Sequence, residues 1–570
     1  MPSLGGYLHL IGALGLFLYA ISRLGDGVQK VAGEKIRNLL ERQAGGPLSS
    51  LTKGIGIAAA LQSNFLSFGM ISSMVNAGLL ALLPALWTMM GVNLGMTVTA
   101  QLMSVNVGAF SFLLLMIGYL MYFYAKKRTW HYLGQIFFSL ALMYLAFALF
   151  NQAFQLLTVG ARTVRAITNF FRYPWLGFVL GMSMAALLRS SNTMVVLIQG
   201  VVGMGLVLSG PQFLGGGIAV IIGSNVGTTF INMLVGLDRL PTVKKVNWLH
   251  FAFNLSTGLL WLLLLPWAVF GVHLICWEMG TAVAWFQESV FRWKVFYNPE
   301  ASRWFNVWQL AMAHTLFNMS VIFLWLPFTL IATKLGFPLF IEKGKIGSNG
   351  TTYLDRRALQ SPALALSLAA HEINQMALIS QEMLKSSRLA FVKGQVHLIP
   401  AIARNEEVVD DLQEQITFYL SALLSQNSLT DVQSQRLAGL LHVVSDVERV
   451  GDHAYSIANL AEKKSKEQLP FSEIALNEIE LLFGKAIDLY NKACLVLKEN
   501  NLETAKQILN REENIDKLEE ELRQNHIYRL NQGKCWPGSG VIYVEMLSNL
   551  ERVAAHSANI AATALEEGEI

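Results

Sequence analysis

Two clusters of uncharged oxygen donors carry the chemistry of this sequence. The first is Gln62, Ser63 and Asn64, followed by Asn93 and Thr97 in the run Gly91-Val92-Asn93-Leu94-Gly95-Met96-Thr97-Val98-Thr99. The second is Arg189, Ser190, Ser191, Asn192 and Thr193, followed by Asn225, Thr228 and Thr229 in Gly223-Ser224-Asn225-Val226-Gly227-Thr228-Thr229. Hydroxyl, amide and backbone carbonyl oxygens suit a hard cation such as sodium without needing a formal charge. The glycines let the backbone unwind and expose its carbonyls, while broken helices aim their N-termini at anions. Arg189 is the only formal charge between Tyr173 and Asp238. A guanidinium forks onto an oxyanion in two hydrogen bonds, so Arg189 either contacts an anion or faces a watery vestibule and tunes its potential. Small polar residues also serve plain helix packing in membranes. Two parallel clusters, each ending in Gly-x-Asn-x-Gly-x-Thr, favour an ion and solute path instead.

The elements that must position these residues are membrane helices. Only 14% of the 570 residues are charged and 53% are hydrophobic, whereas soluble domains carry about 25% charged residues. No charge falls between Gly54 and Ala125. Stretches of about 20 apolar residues give spans at 6–24, 78–103, 108–125, 131–157, 211–236, 248–270 and 306–333. The segments near 54–77 and 174–207 hold the polar clusters and several glycines. They read as re-entrant hairpins or broken helices, which lipid tolerates only against protein or water. The first span lacks a basic leader and a small-residue cleavage site, and reads as a retained helix.

Basic clusters set the expected topology. They are Arg23 to Lys53, Lys126-Lys127-Arg128, and Arg239 with Lys244-Lys245. With these in the cytoplasm, the part after the last span is cytoplasmic too; the basic segment Arg162 to Arg172 fits this scheme less well. The net charge of +4 gives no argument for nucleic acid. Cys276, Cys494 and Cys535 form no disulfide or metal spacing. Phosphate-loop, nucleophile-elbow and zinc-protease motifs are absent from the sequence, so an enzyme reading has no support and transport would draw on an ion gradient.

At the two clusters the chain resembles the type II sodium/phosphate cotransporter family, in the bacterial form with a C-terminal PhoU-like domain. That family repeats Gln-Ser-Ser, each copy trailed by Gly-Ala-Asn-x-Gly-Thr-Thr. Gly223 to Thr229 matches with Ser224 in place of Ala, and Gly91 to Thr97 matches with Val92 and Met96 as departures. Gln62-Ser63-Asn64 reads as one Ser short, and Arg189 stands where the family has Gln. The resemblance implies that the residues of both clusters bind sodium and inorganic phosphate. The His-x-x-Phe-Asn pieces at His250 to Asn254 and His314 to Asn318 also match the family. Each sets His and Asn on one helix face, as interhelical packing or as a polar layer supporting the site.

From about residue 345 the sequence is charged and apolar at helical spacing, as at Leu364, Leu368, Ile373 and Met376. It repeats itself: Asn405 to Leu412 resembles Arg511 to Leu518, and Val447 to Ala454 resembles Leu550 to Ser557. Two three-helix units, 356–465 and 470–570, account for both pairs. Glu448 and Asp452 keep the acidic pair of PhoU-like proteins, a candidate divalent-metal site; Ala555 replaces the Asp in the second copy. Glu407, Asp410 and Glu414 form a further acidic stripe.

The fold class is therefore all-α. A polytopic membrane domain at 1–340, with repeats around 50–125 and 174–236, is joined by a linker at 341–355 to a helical domain at 356–570. The expected function is sodium-dependent transport of inorganic phosphate across the inner membrane, regulated by the cytoplasmic PhoU-like domain. Export or transport of phosphate or another anion with different coupling, and a receptor without flux, are the alternatives. The expected partners are phosphate, sodium and the lipid bilayer, with a second copy of the chain as a candidate.

Overall fold

The computed structural model describes residues 4–41, 46–76, 80–105, 110–157, 171–203, 211–237, 241–286, 302–335, 337, 354–425, 429–499 and 501–568. Every regular element among them is helical. The chain divides into two compact units, Met1–Ser348 and Asn349–Ile570. Of the expected linker at 341–355, only Leu354 and Asp355 fall within the described residues.

In the first unit the helices are α1 (Leu4–Glu41), α2 (Pro47–Leu61), α3 (Asn64–Asn76), α4 (Leu82–Ser104), α5 (Phe110–Tyr124) and α6 (Arg128–Leu157). They continue as α7 (Pro174–Leu188), α8 (Ser191–Gly203), α9 (Pro211–Val235), α10 (Pro241–Leu263), α11 (Leu265–Phe286) and α12 (Ser302–Lys334). Stretches of α1, α4, α6, α9 and α12 are long and apolar enough to cross a membrane. The expected span 248–270 does not form one helix. The chain breaks at Leu264 and turns by 89° into α11. Pro266 explains the break: it has no N–H for the Leu262 carbonyl, and its ring would clash there in a continuous helix.

Two parts of the first unit pack alike. α2 and α7 are both 15 residues long with Pro in the first turn, and α3 and α8 are both 13. Glycines let each short helix lie directly against a long one. A Cβ on Gly54 would strike the Thr88 backbone, and one on Gly181 the matching backbone at Val220. Gly91 and Gly95 rest on the backbones of Leu51 and Ile55; Gly223 and Gly227 rest on those of Phe178 and Met182 in the same register. Only glycine allows backbones this close.

The second unit comprises α13 (Pro362–Val392), α14 (Ile399–Leu424), α15 (Asp431–Lys466), α16 (Glu473–Glu499), α17 (Leu502–Asn531) and α18 (Pro537–Gly568), with short 3-10 turns at Arg356–Gln360 and Val396–Leu398. Two sets of three helices share one apolar core running from Leu359 to Ala564. Leu364, Leu368, Ile373 and Met376 are all buried, as their spacing requires. Thr430 starts α15 with a reciprocal capping box to Gln433, which satisfies N–H groups the helix cannot.

Candidate functional site

The first part of each polar cluster sits at a helix break, and the second part lies within α4 or α9. α2 ends at Gln62 (φ 50°) and α7 at Arg189 (φ 52°), both in the left-handed region. For residues with a Cβ this costs about 1–2 kcal/mol and marks a stop that packing must enforce. Ser63 then accepts from the Leu66 N–H at 3.3 Å, and Ser190 from the Thr193 N–H at 3.2 Å. Each serine thus caps the helix that follows it. The register pairs Gln62 with Arg189, Ser63 with Ser190 and Asn64 with Ser191. The first signature is therefore not one Ser short; Asn64 occupies the place of the second Ser.

These matching residues meet. Asn64 Nδ2 donates to Ser191 Oγ at 2.5 Å, both side chains buried. The first turns of α3 and α8 converge there, and helix N-termini carry unpaired N–H groups and a positive dipole end, which suit an anion. Thr99 donates to Gln62 Oε1, and Asn192 Nδ2 reaches Thr99 Oγ1 at 3.4 Å and Met96 Sδ at 3.3 Å. Asn64 Oδ1 and Asn192 Oδ1 are buried with no partner among the described residues. Leaving such an acceptor bare costs about 1–3 kcal/mol, so both oxygens fit a cation such as sodium.

The other expected residues lie around this centre or apart from it. Thr97 turns back to the Leu94 carbonyl at 2.8 Å, Thr228 to Asn225 O at 3.0 Å and Thr229 to Val226 O at 2.9 Å. Thr193 donates to Ser190 Oγ at 2.9 Å. Asn225 Nδ2 bonds the Ile221 carbonyl at 3.0 Å. Asn93 reaches across instead: its Nδ2 donates to His250 Nε2 and to Asn254 Oδ1, both at 3.1 Å. The side chain of Arg189 is exposed, unlike that of Gln62. Thr99, which closes the Thr97-Val98-Thr99 run, was not singled out from the sequence but joins this centre through Gln62 and Asn192. Gln199 was also missed; it is fully buried and donates to the carbonyls of Ala100 and Val307.

In the second unit the carboxylates of Glu406, Asp410 and Asp452 lie within 4.8 Å of one another, a geometry that could hold a metal ion. Asp452 was expected there. Glu406 joins it rather than Glu407, because Glu406 and Asp410 are the α14 carboxylates whose oxygens come up against Asp452 of α15. Glu448 lies beside the group, and Arg449 comes within 3.8 Å of Glu448 and 3.9 Å of Asp452. Partial burial, and then neighbouring carboxylates, hold Glu406, Asp410 and Glu448 above the usual carboxylate range. A divalent cation would relieve that crowding. In the second copy Glu512 and Glu551 are raised in the same way, by burial and then Asp516.

The two copies also exchange contacts. His556 Nδ1 pairs with Asp446 Oδ1 at 2.8 Å, and His453 Nδ1 with Asn549 Oδ1 at 2.9 Å. The two imidazoles stack 5.6 Å apart.

Comparison with known proteins bears on both units. The sequence model described as Na+/Pi-cotransporter matches residues 16–152 and 147–287. The PhoU domain matches residues 373–461 and 479–564. Proteins of Salmonella typhimurium and Escherichia coli K12, both named "Putative inorganic phosphate export protein YjbB", are 23% identical over 563 residues, covering 98% of this chain and 97% of theirs. The "Phosphate-specific transport system accessory protein PhoU homolog 1" of Thermotoga maritima is 21% identical over 195 residues, covering 34% of this chain and 83% of its own.

Proposed function

This chain belongs to the Na+/Pi-cotransporter family and carries a PhoU domain, and from that premise we propose that it carries inorganic phosphate across the inner membrane, coupled to sodium. The observation that supports this most is the Asn64–Ser191 contact. There two helix N-termini able to take phosphate oxygens adjoin the bare amide oxygens of Asn64 and Asn192, which suit sodium. The chain's own residues would strip water from both solutes and hold them without a fixed countercharge in the buried centre. Arg189, exposed beside it, raises the local potential for an arriving anion.

Direction is a second part of the proposal. The relatives that span almost the whole chain carry an export name, which favours net outward movement of phosphate. The domain after residue 354 is cytoplasmic in this reading. It regulates flux, with a divalent cation held by Glu406, Asp410 and Asp452 beside Glu448.

The test is labelled phosphate flux in proteoliposomes under sodium gradients of either sign, comparing wild type with Ser191→Ala. Sodium-dependent flux that falls in the variant supports the reading. Folded wild-type protein that moves no phosphate under any gradient sinks it.

A further inference from the structure

The membrane unit repeats one more group of three residues. Asn93 corresponds to Asn225 within Gly-x-Asn-x-Gly, and His250 and Asn254 correspond to His314 and Asn318 within His-x-x-Phe-Asn. In the first group the three are joined, because Asn93 Nδ2 donates to both His250 and Asn254. In the second group they are not. Asn225 spends its amide on the Ile221 carbonyl of its own helix. His314 Nδ1, His314 Nε2 and Asn318 Oδ1 have no hydrogen-bond partner among the described residues, although both side chains are completely buried. Asn254 and Asn318 are otherwise held alike, each donating Nδ2 to the His carbonyl four residues back at 2.9 Å. The two Oδ1 atoms are thus presented in the same manner; one accepts from Asn93 and the other is bare.

The helices that would bring the second three together are already packed. A Cβ at Gly217, about two turns before Asn225, would run into the Leu310 side chain, about one turn before His314. Buried donors and acceptors go unpaired only rarely. Three bare atoms at a place whose counterpart has both His250 Nε2 and Asn254 Oδ1 bonded to an asparagine amide point to a partner that arrives in another state.

We propose that His314 and Asn318 are positioning residues for Asn225. In a second state of the transport cycle the Asn225 amide leaves the Ile221 carbonyl and donates to both, as Asn93 does to His250 and Asn254. The first group of three opens as the second closes. The exchange trades one set of hydrogen bonds for an equal set, which keeps the two states close in energy and leaves the solutes to bias them. This rests on the transport reading above.

The experiment uses the full chain in proteoliposomes, with phosphate binding, phosphate turnover and thermal melting measured on each variant. Asn318→Leu and His314→Phe remove the bare polar atoms. Both should bind phosphate with wild-type affinity and melt no lower than wild type, yet turn over about threefold to tenfold more slowly, the population shift one lost hydrogen bond gives. His314→Gln, which keeps a donor and an acceptor, should recover most of that loss. Wild-type turnover in both Asn318→Leu and His314→Phe overturns the proposal. Absence of phosphate flux in the wild type would instead count against the transport reading. A second measurement needs no variant to fold: imidazole 15N resonances of the wild-type histidines, assigned with His314→Gln, should show His314 moving from an unbonded to a hydrogen-bonded environment as sodium and phosphate are added. An unchanged His314 signal at saturating phosphate and sodium overturns the proposal as well.

Discussion

Asn64 and Ser191 are 127 residues apart, hold the same place in the two repeats, and are hydrogen-bonded to each other at the centre of the membrane unit. The most sensitive position in the chain is therefore a contact between equivalents. Ser191→Ala leaves the Asn64 amide buried without its acceptor, at a cost of about 1–3 kcal/mol. Phosphate flux should fall at least about tenfold, with a lower melting temperature. Ser191→Thr, which keeps the hydroxyl, should lose less of both.

The glycine seams give a stability prediction with an internal control. Gly223→Ala places a methyl group on the Phe178 carbonyl, and Gly54→Ala places one on the Thr88 carbonyl. Overpacking of this kind costs about 1–3 kcal/mol, so both variants should melt lower by detergent thermal shift. Gly69→Ala meets nothing within 4 Å and should melt as wild type or slightly higher, from the better helix propensity of alanine.

Divalent cations should stabilise the second unit at neutral pH. Glu406, Asp410 and Glu448 have raised carboxyl pKa values, so the folded state binds protons that the unfolded chain has released. That sign means stability is lost as pH rises through the raised values, and a bound metal restores it. Hydrogen exchange across α14 and α15 should slow on adding manganese, and Asp452→Asn should remove most of that effect. Equal slowing in Asp452→Asn would rule out metal at these carboxylates.

His453 gives the opposite pH dependence. Burial, as the largest cause, holds its imidazole below the ordinary value of 6.5. The folded state then refuses a proton that the unfolded chain takes up. Stability is full above that ordinary value and falls as pH drops below it. His453→Gln should flatten the acid side of the stability profile, read as amide exchange in α15 and α18 between pH 7 and about 5.

Much of this was legible because the residues involved have few alternatives. A Gly that admits a backbone, a Pro that opens a helix and a polar group in an apolar run each force one local outcome. Gly91 and Gly223, each two residues before an Asn in an apolar run, therefore pointed to the repeat in the sequence. The all-helical class and the buried positions Leu364, Leu368, Ile373 and Met376 followed from apolar spacing alone. What sequence reading missed depends on direction. Hydropathy sums apolar residues without regard to the N–H that Pro266 lacks, so it ran one span through a sharp bend. Whether a Thr turns outward to a neighbour, as Thr99 does, or back onto its own helix, as Thr97 does, is settled by what packs opposite. The choice of Glu406 over Glu407 likewise depends on the helix across from it.

The glycine seams also decide where this protein can move. Backbones in direct register cannot slide by a residue without driving a Cβ into a carbonyl, so α2 with α4, and α7 with α9, behave as rigid struts. Shear within either pair is closed to the molecule. Any rearrangement would be displaced to the ends of the struts, where Gln62 and Arg189 hold a left-handed backbone. Beyond those ends lie α3 and α8, so under the proposed function the helices that meet the solutes are the ones the glycine seams leave unlocked.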